Sequence, residues 1–290
     1  MKHFLPLILI VSAPIIAAVN DVLPTDYIAN RPGESFATLY FKESDSDGYY
    51  RNGTKLINDS VSLSAQALRL GHTTELFGYT TSFTAVGAYA KTTFDGAVVE
   101  ALYPKTTSGM SDIRLGMTTW LLNKPSEKEY LALTPMIFFP TGEYDSSRAF
   151  NIGENRFKAT LGAGYVNRFM KNDVGELFLE ISPELAVYGN NNDAKGKKLE
   201  QAPSYALTSY LRYHPLPILD IFTGCQINGG SETSVNGVEQ NDQPNNTRLM
   251  FGGSFVLYRT QIMFRHAYDT GIHTGFKTGN ETMIRLQWSL

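Results

Sequence analysis

Glu176-Leu177-Phe178-Leu179-Glu180-Ile181-Ser182-Pro183-Glu184-Leu185-Ala186-Val187 is the stretch that decides the fold. Leu177, Leu179, Ile181, Leu185 and Val187 occupy every second position or fall on the same parity, with Glu176, Glu180, Ser182 and Glu184 between them. Successive side chains of a strand point to opposite faces, so this period of two gives one apolar and one polar face. A helix would need a period of 3.6, which is not there. The same alternation recurs at Val61-Leu63-Ala65-Ala67, Ile113-Leu115-Met117, Leu249-Phe251-Phe255-Leu257 and Ile284-Leu286-Trp288-Leu290. The reading is all-β.

About twelve such segments follow one another, near 35–42, 59–71, 77–90, 110–122, 130–139, 156–169, 176–189, 202–213, 218–228, 247–258, 260–268 and 281–290. The connections alternate long and short throughout, and the long ones are polar, as in Asn190-Asn191-Asn192-Asp193 and Asn241-Asp242-Gln243-Pro244. In an up-and-down sheet, odd and even connections lie at opposite ends. Tight turns at one end and excursions at the other are the pattern of bacterial outer-membrane barrels. The expected fold is a transmembrane antiparallel up-and-down β-barrel over residues 35–290, its apolar face turned to the lipid bilayer.

Composition agrees. The 290 residues are 42% hydrophobic and only 18% charged, with 17 Phe and 16 Tyr, yet the mean hydropathy is −0.19. That value excludes a bundle of membrane helices, while strands averaging one apolar and one polar face produce it. A net charge of −3 gives no basis for binding nucleic acid. The single Cys225 excludes a disulfide framework and reads as one more apolar side chain on a strand. Lys2 followed by the apolar run Phe4–Ile16 and then Ala17-Ala18 reads as a signal peptide over 1–18. Residues 19–34 are expected as a short periplasmic segment. The amphipathic last strand, ending at Leu290, is expected to be read by the barrel-insertion machinery, and to pair with the first strand.

Parity then assigns a lumen. Asp112, Arg114, Lys158, Glu180, Glu184, Arg212, Asp220, Arg248, Arg265 and Arg285 fall on polar faces and become candidates for a constriction. Six are cations and four are anions. His266 shares parity with Ile262 and Phe264 and so falls on the lipid face, where a bulge or a nearby interface would relieve it. Aromatic residues near strand ends (Tyr130, Phe139, Phe169, Tyr213, Tyr258 and Trp288) fit interfacial girdles.

Catalysis finds little support. No His is followed two positions later by Ser, as one strand face of a barrel lipase would need, and Asp269 with His273 is a weak pair in a polar loop. No phosphate loop or zinc spacing is present, so no cofactor or metal is expected.

Gly109-Met110-Ser111-Asp112-Ile113-Arg114-Leu115-Gly116, then Trp120-Leu121, then Pro140-Thr141-Gly142-Glu143-Tyr144-Asp145, with Gly162, Gly164 and Tyr165 on the following strand, resembles the family named for the meta pathway of phenol degradation. The resemblance implies an outer-membrane barrel passing hydrophobic or aromatic compounds. Pro140 and Gly142 read alone as a strand-ending turn, or as the base of a loop folded inward to narrow the pore. The functional expectation is a channel for passive uptake of small hydrophobic or aromatic molecules, not an enzyme. The alternatives are a surface adhesion or structural barrel with a closed lumen and, more remotely, an outer-membrane hydrolase.

Overall fold

A computed structural model describes residues 21–148 and 150–290. The expected signal peptide lies outside the described residues. Twelve long strands form the wall: β1 (Ser35–Arg51), β2 (Ser60–Leu76), β3 (Tyr79–Asp95), β4 (Arg114–Lys124), β5 (Glu129–Phe138), β6 (Lys158–Asn172), β7 (Gly175–Tyr188), β8 (Ser204–Leu216), β9 (Leu219–Gly230), β10 (Asn246–Leu257), β11 (Thr260–Ile272) and β12 (Gly275–Ser289). Each pairs antiparallel with its neighbour in the chain, and β12 returns to pair with β1 from Phe36↔Ser289 to Tyr50↔Gly275. Closure leaves no open edge, which a hydrocarbon environment would not tolerate.

One end carries tight turns. Phe77 and Gly78 both take positive φ, 51° and 80°, the two-residue turn whose twist matches the flanking strands. Asp173-Val174, Pro217-Ile218 and Tyr258-Arg259 also connect strands in two residues. The opposite end carries longer connections, 96–113, 139–157, 189–203 and 231–245. The expected alternation fails once. The last outer connection is only His273-Thr274, because β11 and β12 continue as strands, β11 along β10 to Asn246↔Ile272 and β12 along β1 to Tyr50↔Gly275, instead of breaking into a loop. β1 likewise runs for 17 residues, well past the ~9–11 needed to cross.

The wall is apolar outside and polar inside. Leu68, Leu70, Phe83, Leu115, Ile137, Leu161, Leu185, Leu207, Leu211, Ile221, Phe251, Phe264 and Ile284 are exposed around the circumference. A water-soluble protein does not present a continuous belt of this kind; lipid is its matching solvent. Phe77 and Tyr258 stand 92% and 95% exposed on the short turns, where aromatic rings meet headgroups. Tyr130 departs from the expected girdle and points inward, 3% exposed. His266 does face outward, in unbroken register with Thr282. It is half-covered by Phe251 and Tyr268, whose ring centroids lie 5.0 and 6.4 Å away, so packing between aromatics, not a bulge, accommodates it.

Candidate functional site

The charged residues of the wall gather inside the barrel. Arg212 on β8 meets Glu180 on β7 at 2.6 Å and Asp220 on β9 at 2.8 Å, with its guanidinium 3.9 Å above the Phe178 ring. Arg248 bonds Asp269 at 2.9 Å and Glu281 at 3.2 Å. Arg265 pairs with Glu281 as well. Across the lumen, Lys158 lies over the Phe138 ring at 3.9 Å and Arg114 over the same ring at 5.6 Å. Glu184 on β7 is within Coulombic reach of both these cations. Asp269 gives its oxygens to Arg248, Asn246 and the Thr278 N–H, while His273 Nδ1 sits against Thr274 Oγ1. The two do not form a dyad.

Arg265 and Arg285 are completed by residues the wall does not supply. Residues 21–29 do not extend away from the barrel as expected of a periplasmic segment, while residues 31–33 stay exposed at the short-turn end. Residues 21–29 turn back into the barrel. Asp21 binds Arg265 at 2.6 Å and Lys42 at 3.1 Å, and Asp26 binds Arg285 at 2.6 Å. The Thr25 N–H donates to Glu180 Oε2, the Trp120 indole N–H to the Tyr27 carbonyl, and the Tyr210 hydroxyl to the Val22 carbonyl. Apolar side chains follow. Leu23, 1% exposed, packs with Tyr210, Phe222, Met250, Met263 and Met283. Tyr27 packs with Trp120, Tyr130, Val166 and Phe178. Gly164 makes room for it, since a Cβ there would stand 2.0 Å from Tyr27 Cγ. The physical reason is charge. Buried cations need partners, and a segment carrying two carboxylates supplies Arg285 with one and Arg265 with a second beside Glu281.

The other end is narrowed by the connection between β5 and β6. Asp112 does not line a pore but anchors this loop, accepting the Gly142 N–H at 2.8 Å and the Glu154 N–H at 3.0 Å. Burial pushes its carboxyl up, against those two N–H groups. Thr141 Oγ1 accepts the Ile113 N–H, and Glu143 N–H donates to the Met110 carbonyl. Gly142 and Gly153 pass so closely that a Cβ on Gly142 would lie 2.8 Å from Gly153 Cα. Tyr144 ties the loop to its neighbour through its hydroxyl, which donates to the Asp193 carbonyl and accepts from Asn191. Asp145 is held ionised, its pKa lowered by the Ser147 hydroxyl and N–H. So fastened, the loop turns inward. Phe150 and Ile152 are buried with Val61, Leu63, Phe94, the Val99 of a short helix (α1, Ala97–Leu102) and Tyr103. Residues 140–145 follow the end of β5 and form the base of a loop whose Phe150 and Ile152 are buried.

Residues 45–280 match the family described as "Putative MetA-pathway of phenol degradation". The chain belongs to that family. Among solved structures it is similar to an outer membrane channel from Pseudomonas putida F1, with a TM-score of 0.86 and 24% identity, over 93% of this chain and 100% of that one. It is also similar to the beta domain of the Bordetella autotransporter Brka, with a TM-score of 0.52 and 11% identity, over 90% of this chain and 100% of that one. No curated protein sequence matches it. The shared architecture is that of an outer-membrane barrel, and the family places this chain there.

Proposed function

We propose that the protein is a passive outer-membrane channel for small hydrophobic or aromatic molecules. The observation that carries this reading is what obstructs the lumen. The wall side chains do not fill the barrel. Its interior is occupied by two attachments, the segment 21–29 and the loop 139–157, each held by hydrogen bonds, ion pairs and apolar packing and not by strand pairing. A structural barrel has no need for such removable parts. The family's connection with phenol degradation supports an aromatic cargo, and the inward face of Phe138, Phe178, Trp120 and Tyr188 supplies rings for it to slide against. Passage requires the segment 21–27 to move aside. Asp112, Arg114, Lys158, Glu180, Glu184, Arg212, Asp220, Arg248, Arg265 and Arg285 then divide the work, Asp112 fixing the loop and the others orienting the segment or facing the solute. The strand β12 serves as the recognition element for barrel insertion.

Purified protein in a planar bilayer tests the channel. Ionic current that falls when an aromatic solute is added is the expected result; absence of both current and solute flux overturns the reading in favour of a closed barrel.

A further inference from the structure

The inserted segment places a phenol inside the lumen, and the wall around that phenol is shaped to it. Tyr27 is 7% exposed and packs with Trp120 of β4, Tyr130 and Ala132 of β5, Val166 of β6 and Phe178 of β7. Two glycines of β6 form the floor. A Cβ on Gly164 would stand 2.0 Å from Tyr27 Cγ, and one on Gly162 would stand 3.1 Å from its hydroxyl oxygen. The ring therefore lies over one glycine and the hydroxyl reaches the other. Thr160 and Val166, the next inward residues along β6, are buried and carry side chains again. The slot is thus two inward positions long, about 7 Å. That length takes one ring.

The hydroxyl end of the slot is polar. Thr134 pairs with Gly162 across the ladder and hydrogen-bonds the Tyr27 hydroxyl, while its own Oγ1 lies 2.9 Å from Thr118 Oγ1. Aromatic walls, a flat floor and a hydroxyl at the end match a phenol and leave little for an aliphatic chain.

The segment that delivers Tyr27 is also built to leave. Its internal backbone bonds are those of turns, Asp26 N–H to the Leu23 carbonyl at 3.2 Å and Ile28 N–H to the Thr25 carbonyl at 3.0 Å. Between them Thr25 takes a φ of 74°, a left-handed conformation that strains a β-branched residue. Withdrawal relieves Thr25 and opens the slot without breaking a strand pairing.

We propose that this slot binds a monocyclic phenol and that Tyr27 is its resident competitor, a reading that rests on the channel and names its binding site and substrate class. A solute crosses by taking the place of the side chain it resembles. Competition sets a threshold: a slot that Tyr27 fills about nine-tenths of the time shows the solute about one-tenth of its intrinsic affinity.

The test uses 4-methylphenol, which is the tyrosine side chain as a free molecule, with toluene and 2-naphthol beside it. Trp120 is one of two tryptophans in the chain, so in full-length Trp288→Phe protein its fluorescence reports binding at the slot. In that background Tyr27→Ala is expected to lower the half-saturating concentration of 4-methylphenol at least about tenfold, with no such gain for 2-naphthol, whose second ring exceeds the slot. Thr134→Val in the Tyr27→Ala protein should weaken 4-methylphenol about fivefold, the worth of one hydrogen bond, and leave toluene unchanged. Gly164→Leu in the same protein fills the slot and should abolish saturable quenching. Faster migration of each unboiled variant on a gel confirms that it is folded. Equal half-saturation with and without Tyr27, an equal gain for 2-naphthol, or saturable quenching that survives Gly164→Leu overturns the slot and leaves the channel standing. Slot-dependent binding in a protein that passes neither current nor solute overturns the channel and leaves the slot.

Discussion

Gly164 decides whether the inserted segment docks. The Tyr27 ring rests on its Cα, and a methyl group placed there would stand 2.0 Å from Tyr27 Cγ and 2.1 Å from Cδ2. The ring is confined on its other sides by Trp120, Tyr130 and Phe178, so it has nowhere to retreat. Gly164→Ala is expected to expel Tyr27 while leaving β6 paired with β5 and β7, because alanine satisfies the strand's backbone. The measurable outcome is a larger single-channel conductance with unchanged heat-dependent gel mobility; unchanged conductance would mean that Tyr27 does not obstruct the path. Asp112 acts at the same scale. Asp112→Ala leaves the buried N–H groups of Gly142 and Glu154 without their acceptor, at a cost of about 1–3 kcal/mol each. The loop 139–157 should detach at its base, detected as faster proteolytic cleavage within it. Both residues stand in the sequence motif that carries the family resemblance, yet their uses differ from what parity suggests. Alternation assigns a face to every strand residue, and Asp112 lies just before β4 begins, where alternation no longer governs direction.

The segment 21–29 is the element that sequence reading misplaces. It has no periodicity, and a short polar lead-in to a barrel has no pattern that distinguishes tail from plug. One signal was nevertheless present. The inward list of six cations and four anions is unbalanced by two, and Asp21 and Asp26 are the two carboxylates that bind Arg265 and Arg285. An interior that must be near neutral points to acids elsewhere in the chain. The strands themselves were legible because one face of each is uniformly apolar, and their outer ends were not, since β1, β11 and β12 run on beyond the bilayer in polar sequence. The joint substitution Asp21→Asn/Asp26→Asn tests the attachment. Breaking a buried pair by removing one partner costs about 3–5 kcal/mol, and these pairs, bordered by water on the segment side, should give the lower part of that range. The segment is expected to become accessible to protease and the current to rise. Adding Arg285→Met, which removes the cation left without its carboxylate, should restore the stability of the barrel but not the docking.

At the scale of the whole molecule, the fold is an inversion, with the apolar surface outside and the charges within, and its stability depends on the solvent that surrounds it. Inversion explains the composition: few charges in total, most of those in the strands directed inward, and many Leu, Ile and Phe side chains standing exposed. It also makes a prediction that no water-soluble arrangement of the same strands would satisfy. Leu211 and Leu216 lie on one strand, β8, and are 45% and 54% exposed, so accessibility alone ranks them together. Depth separates them. Leu211 is in the middle of the strand, facing Leu179 and Thr223 across its neighbours, whereas Leu216 pairs with Leu219 at the tight turn. Leu211→Arg places a guanidinium near the bilayer midplane and is expected to destabilise folding by about 2–4 kcal/mol, while Leu216→Arg at the headgroups should cost about 0–1 kcal/mol. Reversible unfolding in urea, with the protein inserted in phosphatidylcholine vesicles, measures both. Equal costs at the two positions would contradict a barrel that spans the bilayer with β8. A larger cost at Leu216 would require the strand to be set at a different depth from the one its aromatic turns, Phe77 and Tyr258, define.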